Sequence, residues 1–226
     1  MQIQQSGGFS QGGSNIYTSE QTSSNVVIDL KGKNIVIESV SGSDSTIIDG
    51  QGDYPALSLD AEFNSYSGYS NDARFIGFTF KSGPNNEPLI HIAGPGISSA
   101  LSWAPLFQDC RFINSSITDL GNENHGVIDI VDAEPVFNNC EFRNLSIDPT
   151  NMNDGDNGTI KGPIRLAASQ VSSGGSYDST AFRPQFNNCT IAGNYINFQG
   201  YNGYSFNQGR KFKGGAVYVG WGALPT

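Results

Sequence analysis

The chain has 226 residues, enough for one sizeable core, and its 37% hydrophobic and 15% charged content leaves room for 28 Gly and many Ser and Asn, which form turns and not helices. With 21 acidic against 12 basic side chains the net charge is -9, which repels a phosphate backbone and argues against nucleic acid as a partner. No run of 18 apolar residues is present, and the N-terminus lacks the basic start and apolar centre of a signal peptide, so no membrane insertion is expected within the segment.

Residues 1–24, rich in Gln, Gly and Ser, read as a leader or N-terminal cap, and residues 25–226 as one repetitive unit. Its first predicted strands are Asn25-Val-Val-Ile-Asp-Leu30, Lys33-Asn-Ile-Val-Ile37 and Thr46-Ile-Ile-Asp-Gly50. From there two families of short strands alternate. One comprises Ala56-Leu-Ser-Leu59, Leu89-Ile-His-Ile92, Val127-Ile-Asp-Ile130, Pro163-Ile-Arg-Leu166 and Ala216-Val-Tyr-Val219, each with two aliphatic residues flanking a variable one. The other comprises Ala73-Arg-Phe-Ile-Gly-Phe-Thr-Phe80, Pro105-Leu-Phe-Gln-Asp-Cys-Arg-Phe112, Pro135-Val-Phe-Asn-Asn-Cys-Glu-Phe142 and Pro184-Gln-Phe-Asn-Asn-Cys-Thr-Ile191, which align without gaps. Gly222-Ala-Leu-Pro-Thr226 matches the approach to a further such strand, so the chain is expected to stop as another coil begins.

The columns of that alignment carry physical meaning. Gly77, Asp109, Asn139 and Asn188 share the column whose residue types tolerate a left-handed backbone, which predicts a sharp bend between two short strands. Phe75, Phe107, Phe137 and Phe186 precede the bend; Phe78, Cys110, Cys140 and Cys189 follow it, alternating with polar residues at period two. Residue classes recurring in register are what parallel strands stacked about 4.8 Å apart require, whereas an antiparallel sandwich gives no reason for them. The expected fold is therefore all-β: a right-handed parallel β-helix of about six coils. The aligned aromatics are spaced by 32, 30 and 49 residues, so loops must bulge from the coils, at Asn64–Asn71, Asn114–Asn124, Asp148–Lys161, Ser169–Phe182 and Asn194–Lys213.

The segment Gly32-Lys-Asn-Ile-Val-Ile-Glu-Ser39 followed by Thr46-Ile-Ile-Asp-Gly-Gln-Gly52 resembles the opening coils of the pectin-lyase-like superfamily of parallel β-helices. The Phe-x-Asn-Cys-x-Phe and Gly214-Gly-Ala-Val217 motifs are similar to repeats of bacterial surface and autotransporter-type passenger proteins. The resemblance implies a secreted or cell-surface protein. It does not choose among the enzymes, adhesins and phage spikes that share the architecture.

In-register stacking lines up Ser58, His91, Asp129, Arg165 and Tyr218 on the outward side of the first strand family, placing His91 beside Asp129 and Asp129 beside Arg165. A ladder of charge pairs accounts for this line without any ligand; the resemblance suggests saccharide binding or catalysis there instead. Asp129, Asp132 and Arg165, with Glu134 and His91, are the candidate catalytic groups, yet no complete lyase or hydrolase motif is present, and Asn124-His-Gly126 only approximates the Gly-His-Gly of polygalacturonases. Tyr218, Trp103, Tyr201 and Tyr204 are candidate sugar-stacking aromatics. The segment Asn151-Met-Asn-Asp-Gly-Asp-Asn-Gly158 has the oxygen donors Asp154 and Asp156 but the wrong register for a calcium loop, so no cofactor is expected beyond the calcium these two residues could hold. The odd number of cysteines, all in one inward column, predicts a buried thiol ladder and no disulfide framework or zinc site.

The leading expectation is a non-catalytic extracellular segment of a larger surface, filament or secreted protein, structural or adhesive in role. Its partners would be polysaccharide or further copies of the chain, assembled end to end or laterally. A polysaccharide lyase or glycoside hydrolase, and a phage tail-spike-like glycan-binding module, are the alternatives.

Overall fold

In the computed structural model, the residues described are 15–17, 26–30, 34–60, 73–94, 104–119, 125–148, 159–167, 182–196, 211–213, 215–219 and 225. Among them every regular element is a strand, every strand pairing is parallel, and no helix is long and apolar enough to cross a membrane.

The strands form three main sheets that the chain visits in rotation. One sheet holds Ile28–Asp29, Leu57–Asp60, Ile90–Ala93, Ile128–Val131, Ile164–Ala167 and Val217–Val219, which are the aliphatic strands of the sequence. The next holds Val36–Glu38, Arg74–Ile76, Leu106–Gln108, Val136–Asn138 and Gln185–Asn187, the half-strands before the bend. The third begins with Asn15–Tyr17, continues through Thr46–Asp49, Thr79–Lys81, Arg111–Ile117 and Glu141–Ile147, and ends with both Thr190–Ala192 and Tyr195–Ile196 paired to Glu141–Ile147. Each circuit puts a strand beside its own counterpart one coil earlier, so the molecule is a parallel β-solenoid of about six coils. The strand Asn15–Tyr17 pairs with Thr46–Ile48, and the rest of residues 1–24 lies outside the described residues.

The bend between the second and third sheets is where the sequence columns place it. Gly77, Asp109, Asn139 and Asn188 all have positive φ, at 75°, 53°, 53° and 52°. Side chains at the corner bond from coil to coil: Asn139 Nδ2 donates to Asp109 Oδ1 at 3.2 Å, and Asn188 Nδ2 to Asn139 Oδ1 at 2.7 Å. A left-handed backbone costs an ordinary L-residue about 1–2 kcal/mol. Asn139→Ala is therefore expected to lose about 1–2 kcal/mol in chemical denaturation, and Asn139→Gly clearly less. Equal losses would assign the contribution to the amide bonds and not to the bend.

Inside the solenoid the aromatic columns stack. Phe107 and Phe137 lie 5.0 Å apart with rings at 16°, and Phe137 and Phe186 5.1 Å apart at 19°. Across the bend the Phe80, Phe112, Phe142 column stacks likewise, at 5.3 and 4.8 Å, and the two columns meet edge to face. Offset-stacked and edge-to-face pairs are the arrangements that aromatic quadrupoles favour. The cysteine column runs beside them: Cys110, Cys140 and Cys189 donate from Sγ to the carbonyls of Phe75, Phe107 and Phe137, one coil earlier. All three are free thiols. With the Cys110 thiol as its neighbour, and through burial, Cys140 is held above the usual thiol range, and burial raises Cys189 as well.

Several expected loops are shorter than their sequence bounds. Residues Asn114–Ile117, placed in a loop by their polar composition, belong to the strand Arg111–Ile117. The reason is a second corner: Asn114 and Asn144 have φ of 50° and 54°, and Asn144 Nδ2 donates to Asn114 Oδ1 at 3.1 Å. The strand turns there and pairing resumes at Ser115 with Leu145. Thr159–Lys161 pairs with Lys211–Lys213, and Tyr195–Ile196 is also strand, so the loops expected at Asp148–Lys161 and Asn194–Lys213 carry regular structure at their edges. The loops expected at Asn64–Asn71 and across 169–181 lie outside the described residues.

Candidate functional site

The outward column of the first sheet forms in the register its sequence implies. Ser58 pairs with His91, His91 with Asp129, Asp129 with Arg165, and Arg165 with Tyr218; Asp29 extends the line below Ser58. Period-two alternation dictates this, because one residue of each strand must point away from the aliphatic pair that enters the core.

Burial differs from the expectation of a solvent-facing line. Asp129 is 0% exposed, although its side chain points away from the core. Arg165 covers it from the following coil, with Nη1 donating to Oδ1 at 2.7 Å and to Oδ2 at 2.9 Å. The Gly126 amide donates to Oδ1 at 3.2 Å, and His125 Nδ1 lies 3.3 Å from Oδ2. His91 Nδ1, on the preceding coil, also lies 3.3 Å from Oδ2, but off the direction of a hydrogen bond, and is buried without a partner among the described residues. The two imidazole rings meet edge to face, 6.3 Å apart. Gly126 is required by this closeness: a Cβ there would stand 2.8 Å from Arg165 Cβ.

Burial by itself would raise the Asp129 pKa, but the contacts with His125 and His91 and the Arg165 charge outweigh it and hold the carboxyl far below the usual carboxylate range. Asp129 is thus an ionised carboxylate with both oxygens occupied. It has no proton to give as a general acid, and it is too stabilised in its charged form to be an effective base.

Lys161 joins the cluster from the segment leading into the Arg165 strand. Its Nζ lies over the Tyr218 ring, 5.8 Å from the centroid, and burial and then the Arg165 charge lower its pKa. His125 stands out in the sequence only as the middle of Asn124-His-Gly126, and Lys161 not at all. A signal was present: His125 precedes Asp129 by four residues and Lys161 precedes Arg165 by four, so each enters from the segment just before the strand that carries the outward residue.

Asp132 is 1% exposed with φ of 51°, at a corner of its own beyond the Ile128–Val131 strand, and Glu134 follows it partly exposed. Trp103, Tyr201, Tyr204, Asp154 and Asp156 lie outside the described residues. Among the described residues no group of three or more His, Cys, Asp or Glu side chains is arranged to hold a metal ion.

Compared with protein-family models, with curated proteins and with solved structures, the chain finds no match.

Proposed function

We propose that the chain is a non-catalytic, extracellular segment of a pectin-lyase-like β-helix, acting as a rigid stalk, filament or adhesive surface of a larger secreted or surface protein. The observation that carries this reading is the state of Asp129. The foremost candidate for a catalytic carboxylate on the outward line is buried and tied through both oxygens to Arg165. That is the economy of a structural ion pair: both oxygens of the carboxylate are satisfied within the protein and neither is left open for a substrate or a metal. The continuous aromatic ladder supports the same reading, since a solenoid whose neighbouring coils repeat the same contacts transmits load along its axis. The net charge of -9 and the resemblance to bacterial surface passengers support a place outside the cell, with polysaccharide or further copies of the chain as partners.

The test is to incubate the purified protein with acidic polysaccharides and follow reducing ends and unsaturated products. No depolymerisation is expected. Depolymerisation that disappears in Asp129→Ala would replace this reading with that of a lyase or hydrolase.

A further inference from the structure

Three free thiols stand one above another beside the stacked phenylalanines. The Glu141 amide donates to the Cys110 carbonyl and the Thr190 amide to the Cys140 carbonyl, each at 2.9 Å, which fixes the three cysteines in register on successive coils. Neighbouring strands lie about 4.7–4.9 Å apart. The side chains alongside keep nearly that interval: the rings of Phe137 and Phe186, three residues before Cys140 and Cys189, are 5.1 Å apart.

The interval decides what can join two of these sulfurs. A disulfide needs an S–S bond of about 2.05 Å and Cβ atoms about 3.5–4.5 Å apart, closer than in-register strands place them. A cation held in line between two thiolates, at roughly 2.3 Å from each, needs sulfurs roughly 4.6 Å apart, within a few tenths of the strand spacing. Side chains stand roughly perpendicular to their sheet, so the two sulfur–metal bonds run along the stacking direction, at a wide angle to the side chains that supply them.

The thiol protons mark the path. Cys189 Sγ donates at 3.4 Å to the carbonyl of Phe137, on the coil of Cys140, and Cys140 Sγ at 3.5 Å to that of Phe107, on the coil of Cys110. Each proton is shared with the carbonyl two residues earlier in its own chain segment. A cation that replaces the Cys189 proton lies toward Cys140 and faces the oxygen that the proton faced. Cys110 and Cys140 are buried and Cys189 is half-buried, so the pair of Cys140 and Cys189 is the one that an ion reaches. The Cys110 thiol and burial raise the Cys140 pKa, and burial raises that of Cys189, so an incoming ion must displace firmly held protons, which favours the cations softest toward sulfur. Zinc in a structural site takes four ligands, and among the described residues no group of three or more such side chains is arranged to supply them.

We propose that Cys140 and Cys189 form a linear, two-coordinate site for a soft monovalent cation of the Cu(I) class. Binding breaks both S–H bonds, forms two sulfur–metal bonds and releases two protons to solvent, with no electron transferred. The site bridges two coils and is independent of any action on saccharides.

Titration of the intact, reduced chain with Cu(I) without oxygen, in competition with a chromophoric Cu(I) chelator, tests the stoichiometry and affinity, and X-ray absorption at the copper edge counts the sulfur neighbours. The expected result is one Cu(I) per chain with two sulfurs around it, and no comparable uptake of Zn(II). Cys140→Ser and Cys189→Ser are each expected to weaken binding by about a hundredfold or more, beyond the 10–100-fold that loss of a supporting residue costs. Cys110→Ser, a buried member of the same column, is expected to fold and to bind as the wild type does. The sulfur count is read on the unaltered chain and so does not depend on how any variant folds. A single sulfur neighbour, which means adventitious labelling of Cys189 only, overturns the proposal. So do three sulfurs, undiminished binding by Cys140→Ser or Cys189→Ser, or loss of binding in a folded Cys110→Ser.

Discussion

Phe137→Ala is expected to cost about 3–5 kcal/mol, the range for removing a fully buried aromatic side chain. Phe137 is 0% exposed and sits at the crossing of both aromatic columns. It stacks on Phe107 at 5.0 Å and Phe186 at 5.1 Å, and meets Phe112 and Phe142 edge to face at 5.8 and 5.2 Å. Truncation therefore removes apolar burial and four ring contacts together, and leaves a cavity that neighbouring coils cannot close without breaking their backbone ladders. Phe186, in the same column one coil later, is only partly buried, so Phe186→Ala should cost markedly less. Chemical denaturation of the two variants checks this. If Phe186→Ala proved as damaging as Phe137→Ala, the stability would not come from stacking within the solenoid interior.

Arg165→Met is expected to be comparably severe, at about 3–5 kcal/mol, because it leaves a buried carboxylate without its counter-charge. The Arg165 side chain is 16% exposed and that of Asp129 0%, so solvent screens the pair little. The methionine preserves the stem that packs over the sheet, which isolates the electrostatic loss from the packing loss. Adding Asp129→Leu to Arg165→Met should recover much of the deficit, since an apolar pair of similar volume no longer carries a buried charge. Additive losses in the double variant would mean that the two side chains contribute independently.

The pH dependence follows from the direction of the Asp129 shift. Its carboxyl titrates lower in the folded protein than in the unfolded chain, so the unfolded state binds more protons as pH falls. The stabilisation is present above the ordinary aspartate range, about pH 4, and is lost as pH falls toward the folded value. The stability gap between wild type and Asp129→Asn should accordingly persist through the neutral range and narrow below about pH 4. A gap that widened in acid would contradict an ionised Asp129.

The lengthened strands show where a reading of composition fails. Asn114-Ser-Ser116 looks like a loop because its residues are polar and turn-forming, yet Ser115 is buried and its hydroxyl accepts from the Gly83 amide. The asparagine supplies the corner and the chain resumes its ladder. Repeats at 30 residues' separation, Asn114 and Asn144, carried that information, but only as a pair bonded across coils.

What the sequence by itself determined is the coil and its register. Parallel in-register stacking places each residue beside its own repeat, so columns of Phe, Cys and Asn in the alignment are columns in space, and so is the order Ser58, His91, Asp129, Arg165, Tyr218. What only the tertiary structure decided is the environment of that outward line. Period two tells which face a side chain takes, but not what lies over it. Asp129 is buried because Arg165 folds back across it from the next coil and His125 reaches it from the segment before its strand, contacts that depend on side-chain reach and the path of the connections. These contacts turned a position that alternation assigns to the surface into an enclosed carboxylate beneath a guanidinium, and they also left Arg165 Nε as a buried donor without a partner among the described residues.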